Sequence, residues 1–433
     1  GAKISHLQHL DGIVYKTDNA PDSKAYIRLP DFDQLLVNPK KYAESFKIQY
    51  ENTDYIKASP LIEKCGNEYV IQNPPSKPLN TLEMDIIHGM NFARNPHPSY
   101  SISGIAVDIP AISEVKFSII SSRGCFGGCN FCALSYHQGR HISCRSHESI
   151  IKEAESFANF PDFKGYIHDV GGPTANFYGA NCTKMDEKGA CSHRKCLSPT
   201  PCTNIQANHS SYLDLLRKLR ILPGIKKVFI RSGIRYDYLL MDKNPEFFYE
   251  LCQHHISGQL KIAPEHISES TLKAMGKPSV KVYEKFIKKY QEINKKLCKN
   301  QYLVPYLISS HPGSNLNDAI ELACYLHKNK ISPEQVQDFY PTPSTPSTCM
   351  YFTGLNPFTM EEIYTAKKPK DKARHRALIQ YKLSQNYELV YEALILAERR
   401  DLIGFDKHCL IRPRNNPKIK KSGYKTARPQ SRR

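Results

Sequence analysis

The chain has 433 residues, 40% hydrophobic and 24% charged, a globular composition long enough for one large domain with additions or for two domains. No apolar run approaches the ~18 residues of a membrane span and no secretory leader is evident, so a membrane partner is not expected. Fourteen cysteines, clustered rather than spread, do not make a disulfide framework; they call for a compartment that keeps thiols reduced, the cytoplasm.

Half of the formal net charge of +18 sits in residues 411–433, which carry nine Lys/Arg and no acid. With Pro413, Pro417, Pro429 and Gly423, this stretch reads as a basic disordered tail. Such an arm neutralises phosphates, which makes nucleic acid one candidate partner; a solubilising or terminal tail is the other reading.

Residues 1–114 read as a loop-rich N-terminal flanking segment that packs on the next domain rather than folding by itself. One helix is expected from Pro39, a favourable first-turn residue, to Tyr50. The proline clusters at 73–78 and 95–98 interrupt longer elements. From 115 the pattern turns to strand–helix alternation. Strands are expected at 115–120, 166–170, 228–230, 259–263, 302–308 and 335–340. Between them lie helical stripes: one capped by Ser146 with Ile150, Ala154 and Phe157 on a face, then Tyr212 to Leu219, Phe247 to His255, Tyr283 to Leu297 and Leu316 to Leu326. Pro305 is out of place inside a strand.

Six β/α units in about 225 residues imply a parallel sheet with right-handed crossovers, short of the eight of a closed barrel. The expected fold over 115–345 is α/β; that its six units form a partial (β/α)6 TIM-like barrel is what the family resemblance described below implies. It carries a Cys-rich insertion at about 174–210, a helical C-terminal extension at 346–410 and the tail 411–433.

The loop after the first strand is the most unusual stretch: Arg-Gly-Cys-Phe-Gly-Gly-Cys-Asn-Phe-Cys at 123–132. Cys125, Cys129 and Cys132 form C-x3-C-x2-C, which can ligate three irons of a cubane cluster and leave the fourth open to a small molecule. Gly124, Gly127 and Gly128 let the backbone wrap tightly. A zinc half-site would need a fourth nearby ligand; the nearest spare cysteine, Cys144, lies twelve residues on and reads as a small core residue. The motif, with aromatic Phe131 before the last cysteine, resembles that of the radical S-adenosylmethionine (SAM) enzymes.

Further blocks strengthen the likeness: DVGGPTANFY at 169–178, RSGIRYD at 231–237, KIAPEH at 261–266, HPGS at 311–314 and QDFYPTP at 337–343. Together they resemble the YgiQ-type family of radical SAM proteins, for which no substrate is assigned. That family carries an upstream domain similar to cobalamin-binding domains. Nothing like it is present in this chain, which starts without Met and reads as a fragment or shortened member.

The resemblance implies a [4Fe–4S] cluster on Cys125, Cys129 and Cys132, with SAM on the open iron. It implies that Gly171 and Gly172 offer backbone to the SAM amino group, with carbonyl oxygens doing more of the binding because Pro173 stands where the superfamily commonly has an acid. It implies reductive cleavage of SAM to a 5′-deoxyadenosyl radical that takes hydrogen from an unidentified substrate. A flavodoxin- or ferredoxin-like electron donor follows. Alternatives are a radical methyl- or methylthio-transferase on RNA or protein, and a non-catalytic metal-containing nucleic-acid-binding protein.

Other residues remain open between chemistry and structure. Arg231, Ser232 or Arg235 suits the SAM carboxylate or a surface ion pair. Glu265 and His266 at the barrel mouth suit acid/base or polar-ligand roles. Ser314 reads as a helix cap. In the insertion, Cys182, Cys191, Cys196 and Cys202 fall within 21 residues, with His193 and His209 nearby. They read as a second metal site, zinc or iron–sulfur, or as a structural clip.

Overall fold

The computed structural model describes residues 4–20, 25–102, 109–333 and 336–414. Of the basic tail, residues 415–433 lie outside these, and with them most of the expectation for that segment. No helix among the described residues is long and apolar enough to cross a membrane.

Strands rich in Ile, Val and Leu pair in sequence order, as alternating β/α units require. Ser118–Ile120 lies parallel to Asp169–Gly171, and Tyr166–Ile167 lies parallel to Lys227–Val228. Gln259–Glu265 lies parallel to Tyr302–Ser309, which in turn pairs parallel with Gln337–Asp338. The ladders remain separate short sheets, so the described barrel is open. Helices His147–Ser156, Ser210–Arg220, Val280–Lys296 and Leu316–Lys328 return the chain between strands. The apolar faces of the first three share one core with the strands around Ile119, Val170, Tyr212, Leu216, Phe248 and Phe286, while Leu316–Lys328 buries its face in two neighbouring clusters.

Several boundaries move for local reasons. Pro110 takes the first turn of a helix that runs to Val115, so the first strand starts at Ser118 and Val115 is 60% exposed. The helix expected through His255 is α-helical over Glu246–Glu250 and widens to a π-turn over Leu251–His255. Pro305 sits opposite Ile262, next to a register shift between Ile262 and Glu265, and the bulge accommodates the missing donor.

Where the N-terminal sequence reads as loop, the structure has a four-stranded sheet. Leu61–Cys65 and Glu68–Gln72 form a hairpin, Val14–Thr17 pairs with its outer strand, and Ile27–Arg28 joins Leu61–Cys65 in parallel. The Pro39–Glu51 helix forms as expected, with the Asn38 side chain accepting from the Lys40 and Lys41 amides. At the other end, Pro369–Ile379 and Tyr387–Leu396 pack on Leu316–Lys328 around Leu378, Val390 and Leu394.

The end of the first strand is pinned by a fully buried cation. Arg145 donates to Ile120 O at 3.0 Å and to Ser149 O at 3.0 Å, and its guanidinium pairs with Glu153. Glu153→Gln would leave that charge uncompensated, and should lower the unfolding free energy in urea by about 3 kcal/mol.

A second buried group makes stability depend on pH. His255 donates from Nδ1 to Val228 O at 2.8 Å, its Nε2 is buried without a partner, and burial lowers its pKa to about 4. The unfolded imidazole, with a pKa of about 6.5, takes a proton first. Its contribution to stability is therefore complete above about pH 6.5 and is lost as pH falls toward 4. His255→Gln keeps a donor and does not titrate; it should flatten the fall of the urea midpoint between those limits.

Candidate cluster and cofactor site

The strand Ser118–Ile120 feeds the cysteine loop, and Ser122–Arg123 pairs antiparallel with Ser143–Cys144 to close the loop's base. Gly124 has φ +87°, and a Cβ there would lie 1.8 Å from the His141 carbonyl oxygen, so only glycine fits. Buried Asn130 fastens the far side. Its amide donates to Met275 O at 2.8 Å, its side chain donates to Ala274 O at 2.8 Å, and its carbonyl accepts from Ser347 N at 2.9 Å. These bonds make the loop a rigid mount rather than a mobile tip.

Cys125, Cys129 and Cys132 are free thiols. Burial pushes Cys125 up, with Cys129 adding to the shift. Burial, helped by Cys129, pushes Cys132 up to about 12. Ionised together, three such neighbouring thiols would repel one another and need a cationic guest, which a metal centre supplies by displacing their protons. One zinc ion, with Zn–S near 2.3 Å, would draw its ligand atoms within about 4 Å of each other. Among the described residues, the set gathered within 4.8 Å is Asp406, His408 and Cys409, outside this loop.

Cations surround these sulfurs. Buried Arg235 donates from Nη1 to Cys129 Sγ at 3.3 Å and is held by Asp237 through Nε–Oδ1 at 2.9 Å and Nη2–Oδ2 at 2.5 Å. A Cβ on Gly127 would sit 2.6 Å from Arg235 Nη1, so this glycine makes room for the guanidinium. Lys195, from the insertion, donates to Gly128 O at 2.5 Å and also to Asn130 Oδ1. Burial lowers its pKa to about 8, and Arg140 and Arg235 push the same way. Among the described residues neither Lys195 nor Arg140 has a carboxylate partner. A donor set of three thiols ringed by cations with too few carboxylates fits an anionic iron–sulfur cluster.

Beside the loop opens a cavity of about 360 Å³, lined by Phe131, Cys132, Glu265, Tyr306, Ile308 and Phe339. Glu265 ends the bulged strand at φ +68°, a strained value for a residue with a side chain, and its carboxyl is pushed up by burial, against Lys277 and Arg235.

The other expected residues divide. Gly171 and Gly172 lie at the end of the second strand, and the close contacts they permit are internal. A Cβ on Gly171 would meet Ser232 Oγ at 2.3 Å, and one on Gly172 would meet Ser122 O at 2.7 Å. Asp169 accepts from the Arg231 and Ser232 amides at 2.8 and 3.0 Å, tying the second loop to the third. Arg231 makes the surface pair, with Glu114 at 2.9 Å; Arg235 is the buried member of that block. His266 turns away from the cavity: its Nδ1 accepts from Ser268 N at 3.0 Å, and burial lowers its pKa to about 4. Ser314 is not the helix cap. Asn315 is, in a capping box with Asp318, while Ser314 Oγ is buried without a partner.

In the insertion, His193 is exposed beside Glu51, and His209 pairs with Asp242 at 2.6 Å and stacks on Phe247, so neither joins the cysteines. Cys144 packs on the core. The roles of Arg235, Lys195, Arg140 and Asn130 around the thiols were not visible in the sequence. The Arg-x-Asp spacing at 235–237 was the one local hint.

Three family models match consecutive stretches: Radical SAM N-terminal at residues 1–118, Radical SAM superfamily at 119–323 and a domain of unknown function, DUF3362, at 334–433. With this fold and loop, the chain belongs to the radical SAM superfamily. Within it, the chain is 54% identical over 417 residues to a UPF0313 protein of Clostridium botulinum (strain Loch Maree / Type A3), covering 96% of this chain and 64% of that one. It is 50% identical over 412 residues to a UPF0313 protein of Clostridium perfringens (strain 13 / Type A), covering 95% and 62%. The chain thus spans less than two thirds of the length of these relatives. Among solved structures, it is similar to the cobalamin-dependent SAM radical enzyme OxsB with aqua-cobalamin and SAM bound. That match has a TM-score of 0.43 and 12% identity, over 78% of this chain and 50% of that one.

A [4Fe–4S] cluster and SAM are the cofactors of this superfamily, and the donor set above fits the cluster. An N–H donated to a cluster sulfur stabilises the more negative, reduced state and raises the potential. Arg235→Lys, which loses the fork that spans Asp237 and Cys129, should lower the cluster's midpoint by tens of millivolts in an anaerobic EPR titration.

Proposed function

We propose that this chain carries the SAM-cleaving centre of a radical enzyme, with Cys125, Cys129 and Cys132 as cluster ligands and the Gly171–Gly172 backbone beside the SAM amino group, where Gly172 offers its carbonyl because Gly171 O is taken by Ser121 N and Oγ. The observation that carries it is the rigid loop of three free thiols with the Arg235 guanidinium aimed at Cys129 Sγ. Held by these three cysteines, a reduced cluster would supply the one electron for reductive cleavage of SAM to methionine and a 5′-deoxyadenosyl radical, which would take a hydrogen atom from substrate.

The chain's own residues bind, orient and exclude water. Phe126 stacks on Phe177 at 3.9 Å between ring centroids, over the Cys125 side of the loop, and keeps solvent from the sulfur. Arg235, fixed by Asp237, holds Cys129 in place. The cavity beside Cys132 takes the nucleoside and the substrate, and Glu265 offers its wall a buried carboxyl for a polar group.

The working unit is 115–345, supported by 1–114 and 346–410, with 411–433 as a basic tail. A flavodoxin- or ferredoxin-like protein supplies electrons in a reducing compartment, the cytoplasm.

The test is anaerobic reconstitution with iron, sulfide, SAM and a strong reductant. Wild-type protein should release 5′-deoxyadenosine, and Cys129→Ala should fall to background. Equal yields from the two proteins would refute the assignment.

A further inference from the structure

We propose that Cys182, Cys191, Cys196 and Cys202 hold a second iron–sulfur cluster, beside the first and fully ligated by protein. All four thiols are free. Cys196 is buried in an apolar cluster with Phe126, Phe177 and Leu197, and Cys182 and Cys202 pack against the same cluster. The Cys202 amide donates to Cys196 O at 2.7 Å, which folds the end of the insertion back on itself.

Arg140 ties the remaining member to this group. It donates from Nη1 to Cys191 O at 2.6 Å, and from Nη2 to Cys196 Sγ at 3.2 Å and Arg194 O at 3.1 Å. Its Nε is buried with no partner, and among the described residues no carboxylate pairs with it. A guanidinium set among neutral thiols and carbonyls is uncompensated; thiolates on a cluster would supply the missing negative charge.

The choice between metals follows from two further observations. His193 and His209 are engaged elsewhere, so the donor set is all sulfur. The spacers between them, eight, four and five residues, also depart from the two to four residues that pair the ligands of structural zinc sites. Four thiolates saturate a cubane and leave no iron open to SAM. The second site is therefore a cluster of another kind, joined to the first by Lys195, whose amine reaches Gly128 O at 2.5 Å.

The experiment reads iron, acid-labile sulfide and zinc in the full chain after anaerobic reconstitution. Wild type should hold about eight irons and about eight sulfides, and the triple variant Cys125→Ala, Cys129→Ala, Cys132→Ala about four of each, with an iron–sulfur Mössbauer spectrum. Because that variant lacks the first site, its result is independent of SAM cleavage. A triple variant with no iron, with one zinc, or with one iron and no sulfide overturns the proposal. Should the triple variant not fold, Cys182→Ala with Cys202→Ala decides: a fall to about four irons supports the site, and an unchanged count overturns it.

Discussion

Buried positive charge against sulfur is the constraint around which this site is built. Arg235 is desolvated among aromatic and thiol groups, and Asp237 offsets its charge through two hydrogen bonds while leaving Nη1 free for Cys129 Sγ. Its passage beneath the loop requires the missing side chain at Gly127. Lys195 reaches Gly128 O and Arg140 reaches Cys196 Sγ, and among the described residues neither has a carboxylate of its own. An apolar or neutral guest would leave those charges stranded, whereas an anionic thiolate–iron centre completes the electrostatics.

The short strands matter here for where they end. Asp169, Ser232, Gly171, Gly172 and Ser122 knit the first three strand ends together, so that the loops leaving them start from fixed points. On the opposite side, the bulge between Ile262 and Glu265 turns the fourth strand's last side chain toward the cavity at the expense of a left-handed backbone. Strain at Glu265 is held by the long ladder with Tyr302–Ser309, the most extensive pairing of the barrel.

What the sequence revealed follows the range of the interactions. The cysteine loop was legible because its ligands lie within eight residues, and the β/α units because apolar spacing repeats within each element. The N-terminal hairpin was missed although Gly66-Asn67 is a turn pair between two short runs; Glu63, Lys64 and Glu68 blur the alternation. Ser314 and Asn315 were adjacent cap candidates, and only the reach to Asp318 separates them. Arg235 acts on a sulfur 106 residues away, and Lys195 on a carbonyl 67 residues away. No window along the chain brings such partners together; only the packed barrel does.

The loop also has two faces with different work. Phe131 packs with Phe339 and Met275, and with Cys132 it borders the cavity, so this face meets small molecules. Phe126 packs into an apolar cluster built with Met185, Ala190, Cys196 and Leu197 of the insertion, which backs Cys125. Asp54 of the flanking segment accepts from Ala190 N at 2.8 Å and meets His141 Nε2 at 3.0 Å, clamping that cover from outside. Water is therefore shut out on the side that needs no access, and the insertion and the N-terminal segment share that task. A radical centre requires this asymmetry: one side open enough to admit its reactants, the other dry and rigid enough to hold the sulfurs in register.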